Sequence, residues 1–223
     1  MRKNLNLLTL FFLTSIIFVN AQETEPAATP TAPAKKTNQR PQENGPAEPF
    51  DKADVKTMAE KCVRLETEAG NIELEMFPES APETARNFLN LTATGFYDTT
   101  TFSRVVPNFV IQGGSFSTRS ERTAAFLERA KRRLKDEPNL IKHERGIVSM
   151  ARGDEPNTAA TSFFILVGDG PHLDNKFAAF GRVINGLEVV DAINKMPVNE
   201  EKPEKPVRLV KATIIACPAK TEQ

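Results

Sequence analysis

The sequence predicts a mainly β domain: a closed antiparallel barrel accompanied by two main helices. Two observations carry that prediction. Short runs of alternating apolar and polar residues recur between turn signals, and only two longer stretches have helical periodicity with their own stop signals. The chain shows no internal repeat. Its 223 residues fit one domain plus appendages, and 39% apolar residues with 15 Phe supply a single solid core.

The elements follow in order. Met1-Arg2-Lys3, an apolar run from Leu7 to Val19 and a small residue at Ala21 have the three parts of a secretory signal, so residues 1–21 are read as a signal peptide. The run is short for a membrane span, which needs about 20 residues; a retained anchor is the rival reading. Residues 22–50 hold six of the 16 prolines among Ala, Thr, Glu and Gln. Such a stretch buries too little apolar surface to offset its ordering entropy, which predicts a disordered, extended linker. The folded domain is expected over 51–223, with a core at about 62–217. Val63–Thr67 and Ile72–Met76 alternate around Glu68-Ala69-Gly70-Asn71, giving a hairpin with one wet face. Ser80-Ala81-Pro82-Glu83 has a capping-box pattern and opens a helix whose inner stripe is Ala85, Phe88, Leu89 and Thr92, with Gly95 to stop it.

Residues 102–115 give two more strands, and residues 120–135 an additional amphipathic helix. That helix carries Arg129, Lys131, Arg132, Arg133 and Lys135 opposite its apolar side. The face reads either as solvated or as a contact for an acidic partner or nucleic acid, and Glu121, Glu128, Asp136 and Glu137 dilute its charge. Strands follow at 146–151, 162–167 and 178–183, then the second main helix from Gly186 to Met196, ended by Pro197. A long strand from Val207 to Ala216 closes the domain.

Several chemistries are excluded or unsupported. Lys+Arg 29 against Asp+Glu 29 provides no net field toward nucleic acid or acidic lipid. Two cysteines without C-x-x-C spacing, and two histidines 29 positions apart, argue against a metal site. Ser115 in Gly113-Gly114-Ser115-Phe116 lacks the nucleophile-elbow pattern, and Gly113-Gly114 lacks the Gly-Lys-Ser/Thr of a phosphate loop. What remains is Arg104, a cation among Phe102, Val105, Phe109 and Ile111, with Gln112 following on the next strand-like piece. A charge in such a setting is costly unless paired or given a task.

Phe102-x-Arg104-Val105, Phe109, Gln112-Gly113-Gly114, Ser149-Met150-Ala151, Phe163-Phe164-Ile165, Leu173-Asp174 and Phe180-Gly181-Arg182-Val183 together resemble the cyclophilin family of peptidyl-prolyl isomerases. The resemblance runs in order from about Val63 to Cys217. It implies a closed eight-stranded antiparallel barrel capped by two helices, with the inserted helix as an addition and the substrate groove on the outside. Arg104 matches the family's catalytic arginine, Gln112 its polar neighbour, and Phe109 joins them in the catalytic set. Phe109, Met150, Phe164 and Leu173 match the proline pocket; Ala151 and Arg152 match the edge that bonds the substrate backbone. Phe102, Phe163, His172 and Phe177 complete the expected substrate-binding set. Ser103, Ser162, His172 and Phe177 depart from the residues common in the family, and the loop from Arg152 to Thr161 is one residue longer.

The resemblance implies isomerisation of X-Pro bonds in exported proteins, in the periplasm or outside the cell, assisting their folding. The alternative is a proline-peptide-binding module or chaperone with little turnover. No cofactor or metal is expected; the partners are proline-containing polypeptides rather than nucleic acid, a membrane only if the N-terminal segment is retained, and the protein is expected to be a monomer. The family fold also sets Cys62 and Cys217 on adjacent first and last strands. They are either joined as a disulfide or two buried thiols.

Overall fold

The computed structural model describes residues 46–218. The expected signal peptide and the linker up to residue 45 lie outside the described residues. Eight antiparallel strands form one sheet in the order β10-β1-β2-β7-β5-β6-β4-β3. They are β1 (Lys61–Thr67), β2 (Gly70–Met76), β3 (Arg104–Val106), β4 (Val110–Gly113), β5 (Ile147–Met150), β6 (Phe163–Leu166), β7 (Ala179–Asn185) and β10 (Leu209–Ala216); a separate hairpin pairs β8 (Val198–Asn199) with β9 (Lys202–Pro203). The helices are α1 (Val55–Ala59), α2 (Pro82–Ala93), α3 (Ala124–Ala130) and α4 (Leu187–Asn194).

The sheet is curled into a barrel shape, but a continuous ladder does not close it. Its two edges meet through an isolated bridge, Thr101 to Arg208, and a bond from Phe102 N to Val207 O at 2.9 Å. The expected closed barrel is therefore a curled sheet whose seam is a few bonds long. The interior holds Phe88, Tyr97, Phe102, Phe163 and Phe180, each without solvent exposure. Their rings meet edge-on or tilted at 4.9–6.2 Å, the favoured aromatic geometries. Cys62 and Cys217 are joined by a disulfide with Cα atoms 4.9 Å apart, linking the start of β1 to the residue beyond β10.

Helix α2 buries the expected stripe, but Ser80 does not cap it. Ala81 is the cap residue and offers no side-chain bond. Instead Glu137, from the inserted segment, accepts from Glu83 N at 3.1 Å, Thr84 N at 2.7 Å and Thr84 Oγ1 at 2.7 Å. A carboxylate there satisfies the orphan amides and the positive helix end together.

The inserted helix is shorter than the 120–135 periodicity suggests. It starts at the Thr123 cap, whose hydroxyl accepts from Phe126 N, and ends at Ala130. Beyond it the chain is drawn away by bonds from Leu134 N to Ala159 O and from Asp136 N to Asn157 Oδ1. The expected basic face is also broken. Arg129 is only 7% exposed, paired with Glu48 at 2.6 Å and bonded to Asn87 Oδ1 at 2.8 Å. The packed chain thus reaches back into the segment read as linker: Glu48 holds α3, and Phe50 N donates to Asn90 on α2.

Candidate active site

Side chains facing one another across an antiparallel ladder share a face. Arg104 on β3 opposes Gln112 on β4, Gln112 opposes Phe164 on β6, and Phe164 opposes Ser149 on β5. The sheet thereby sets these four in one row on its outer side. An apolar cluster separate from the interior gathers there: Val110, Phe164 and Leu166 are buried, and Phe109, Ala151, Leu173 and Phe177 pack against them. Phe109 lies 5.3 Å from the His172 ring, and Phe177 meets Phe164 edge-on at 5.9 Å.

Arg104 is 42% exposed at the edge of this cluster. Its Nη1 donates to Gln112 Oε1 at 3.3 Å, while Nε and Nη2 donate to Glu201 Oε2 and Oε1 at 2.6 and 3.2 Å. The β3–β4 turn that positions Arg104 and Phe109 is fixed from α4. Asn194 accepts from Asn108 N at 2.8 Å and donates to Val106 O at 2.9 Å and Val110 O at 3.1 Å. Asn108 itself has φ of 61°, a left-handed conformation that Asn tolerates.

The row ends, at Ser149, in a buried polar chain. Ser149 Oγ is 3.0 Å from His143 Nε2, and His143 Nδ1 is 3.2 Å from Asp174 Oδ1. Asp174 also accepts from His143 N and Lys142 Nζ, each at 2.9 Å. The His143 backbone N–H first, then the Lys142 bond, hold the Asp174 carboxyl down at about 2. Burial pushes His143 below the ordinary histidine value, against the opposing hydrogen bond that its Nδ1 makes to Asp174. The order of groups is that of a Ser-His-Asp triad, but Ser149 has no solvent exposure and no substrate carbonyl can reach it. The chain instead ties β5 to the short turn carrying His172 and Leu173.

The family described as cyclophilin type peptidyl-prolyl cis-trans isomerase/CLD matches residues 62–214. The chain belongs to the cyclophilin family. A peptidyl-prolyl cis-trans isomerase of Acinetobacter baylyi is 36% identical over 168 residues, covering 70% of this chain and 87% of that relative. The human peptidyl-prolyl cis-trans isomerase-like 3 is 41% identical over 160 residues, covering 70% and 97%. A crystal structure of a Cryptosporidium parvum cyclophilin in the presence of the dipeptide Ala-Pro has a TM-score of 0.62 at 30% identity, covering 70% of this chain and 99% of the other.

In this cyclophilin Arg104, Gln112, Phe109, Phe164, Leu173, His172 and Phe177 come together at the outer face. Three expected substrate-binding residues, Phe102, Phe163 and Met150, pack in the interior cluster instead. Phe102 and Phe163 are fully buried in the interior cluster. Phe163 precedes Phe164 on β6, so their side chains leave opposite faces; Phe102 precedes β3, where the backbone is not regular strand. Gly113-Gly114 likewise serve the interior. A Cβ on Gly113 would lie 3.1 Å from Phe102, and one on Gly114 (φ 78°) within 2.9 Å of both Tyr97 and Phe163.

Met150, expected in the pocket, is only 2% exposed and packs in the interior cluster, while also bordering a small cleft beside Arg152 and Phe177. The Ala151 N–H is already bonded to Ser162 O at 2.9 Å. The Arg152 guanidinium lies over the Phe177 ring at 4.9 Å and its Nε is 3.4 Å from Asp136. Three contributors were missed. Val110 shares the Gln112 face by strand alternation, a signal the sequence did contain. Gly170 packs tightly under the outer cluster, because a Cβ there would lie 3.0–3.3 Å from Phe109, Leu173 and Leu166. Glu201 is 97 positions from Arg104, and nothing local to either residue announces the pair.

Proposed function

We propose that this cyclophilin acts on X-Pro bonds of exported polypeptides, with Arg104 as the catalytic group and the outer apolar cluster as the proline site. The observation that carries the reading is one juxtaposition: a guanidinium restrained by Gln112 beside Phe109, Phe164 and Leu173 on a single sheet face. An X-Pro amide twists over a barrier of about 18–20 kcal/mol because C–N resonance is lost. No covalent bond forms or breaks, so the residues need only favour the twisted state over both planar isomers. In that state the prolyl nitrogen becomes pyramidal and regains a lone pair. An Arg104 N–H donating to it makes a bond absent from either ground state. Phe109, Phe164 and Leu173 hold the ring still while the preceding carbonyl swings, and their dryness strengthens the field of the cation.

Export is supported by the charged, apolar and small-residue sequence of the first 21 positions and by the Cys62–Cys217 disulfide, a bond that persists in oxidising compartments. Sequencing the N-terminus of the protein from its native host tests this part; a first residue of Gln22 is expected, and a cytoplasmic protein retaining Met1 would overturn it. Titration with a short Ala-Pro peptide, followed by NMR, tests the site. Shifts are expected at Phe109, Phe164, His172 and Leu173, and peptide binding that leaves these unmoved would displace the proposed groove.

A further inference from the structure

Glu201 lies in the turn of the β8–β9 hairpin, far in sequence from β3 yet docked upon it. Val105 N donates to Glu201 O at 2.8 Å, which sets the Glu201 carboxylate beside the neighbouring residue, Arg104. Two oxygens then meet two guanidinium nitrogens, at 2.6 and 3.2 Å. Both side chains are about half exposed, at 42% and 51%, and a pair so placed contributes little to stability. Its consequence is orientation.

A guanidinium has five N–H donors in a fixed fork. Glu201 engages Nε–H and one hydrogen of Nη2, and Gln112 engages one hydrogen of Nη1. Two N–H groups are left, one on each terminal nitrogen. Arginine otherwise carries much rotamer freedom, and a donor that must find its place during the reaction is less effective than one already aimed.

We infer that Glu201 is a positioning residue for the isomerase reaction: its carboxylate, delivered by the β8–β9 hairpin, holds the Arg104 fork with Gln112 so that the two free N–H groups face the prolyl nitrogen. The inference rests on Arg104 being the group that serves that nitrogen. It also explains why a cation can stand at the rim of an apolar cluster without drifting into solvent.

The test is a cycle of substitutions in the full chain, with kcat and KM measured on a short Ala-Pro peptide and folding checked by thermal melting. Glu201→Gln keeps the shape and removes the charge. It is expected to lower kcat by about 3- to 10-fold with KM and melting temperature unchanged, the pattern of an interaction that matters only in the transition state. In an Arg104→Lys background, which has no planar fork to orient, the same substitution is expected to cost less than about twofold. Unchanged or faster turnover in Glu201→Gln overturns the inference, as does an equal loss in both backgrounds, which would mark a general role for the hairpin. If Arg104→Ala itself turns over like the wild type, the role of Arg104 fails first and the inference with it.

Discussion

Removing Asn194 tests whether the β3–β4 turn is set from the helix behind it. The side chain is only 4% exposed and makes three bonds, to Asn108 N, Val106 O and Val110 O. At about 1 kcal/mol net for each bond, Asn194→Ala is expected to cost about 3 kcal/mol, more where water cannot replace the amide. Asn194→Asp is the sharper variant. It keeps the acceptor for Asn108 N but turns an oxygen toward two carbonyls, so a substitution of nearly the same shape is expected to be at least as damaging as the truncation. Urea unfolding at pH 7 measures both. Because the turn aims Arg104 and Phe109, kcat/KM is expected to fall about tenfold or more in either variant, since a small misplacement of a reacting group is costly. A loss below about 0.5 kcal/mol in both variants, with normal kcat/KM, would refute the claim that α4 sets the site.

Two further predictions concern the pocket and the buried chain. Gly170→Ala places a methyl 3.0–3.3 Å from Phe109, Leu173 and Leu166, so KM for an Ala-Pro peptide is expected to rise severalfold while the fold persists; an unchanged KM would show that the ring does not sit there. Stability is expected to fall as the solution is made acid, in two windows. Folded His143 refuses a proton that the unfolded chain takes up below about 6.5, and folded Asp174, held at about 2, stays charged while its unfolded counterpart protonates below about 3.9. Both contributions are present at neutral pH and are lost on acidification. The urea midpoint should therefore drop between pH 7 and 5, and the drop should be smaller in His143→Gln; a flat midpoint over that window would contradict the assignment.

The outer row was legible where its parts are local. Arg104 and Gln112 are eight residues apart across one turn, and a lone cation among apolar strand residues is a visible anomaly. The β1–β2 hairpin and the α2 stripe were legible for the same reason, since period-2 and period-3.6 patterns report which face is buried. Facing was harder. Phe163 and Phe164 are chemically identical neighbours, and only the register of β6 decides that one packs in the interior cluster and the other in the outer one. Phe102 escaped alternation because the chain is irregular just before β3. Long-range polar contacts left no local trace: Glu137 caps α2 from more than fifty positions away, Glu48 neutralises Arg129 across eighty-one, and Glu201 grips Arg104 across ninety-seven. The α3 periodicity misled because Arg129 reads as one more solvated cation until its partner is known. Ser149, His143 and Asp174 were invisible as a group for the same reason, with the fold alone bringing them together.

The most direct test of the account compares wild type with Arg104→Ala in the isomerisation of a short Ala-Pro peptide, with peptide binding measured in parallel. One charge-assisted bond made only in the twisted state is worth about 1.5–3 kcal/mol, so turnover is expected to fall about 10- to 150-fold while the peptide still binds. A folded Arg104→Ala protein that isomerises within twofold of the wild type would contradict the central claim. A wild type that binds the peptide without turning it over would make the outer groove a recognition site rather than a catalytic one.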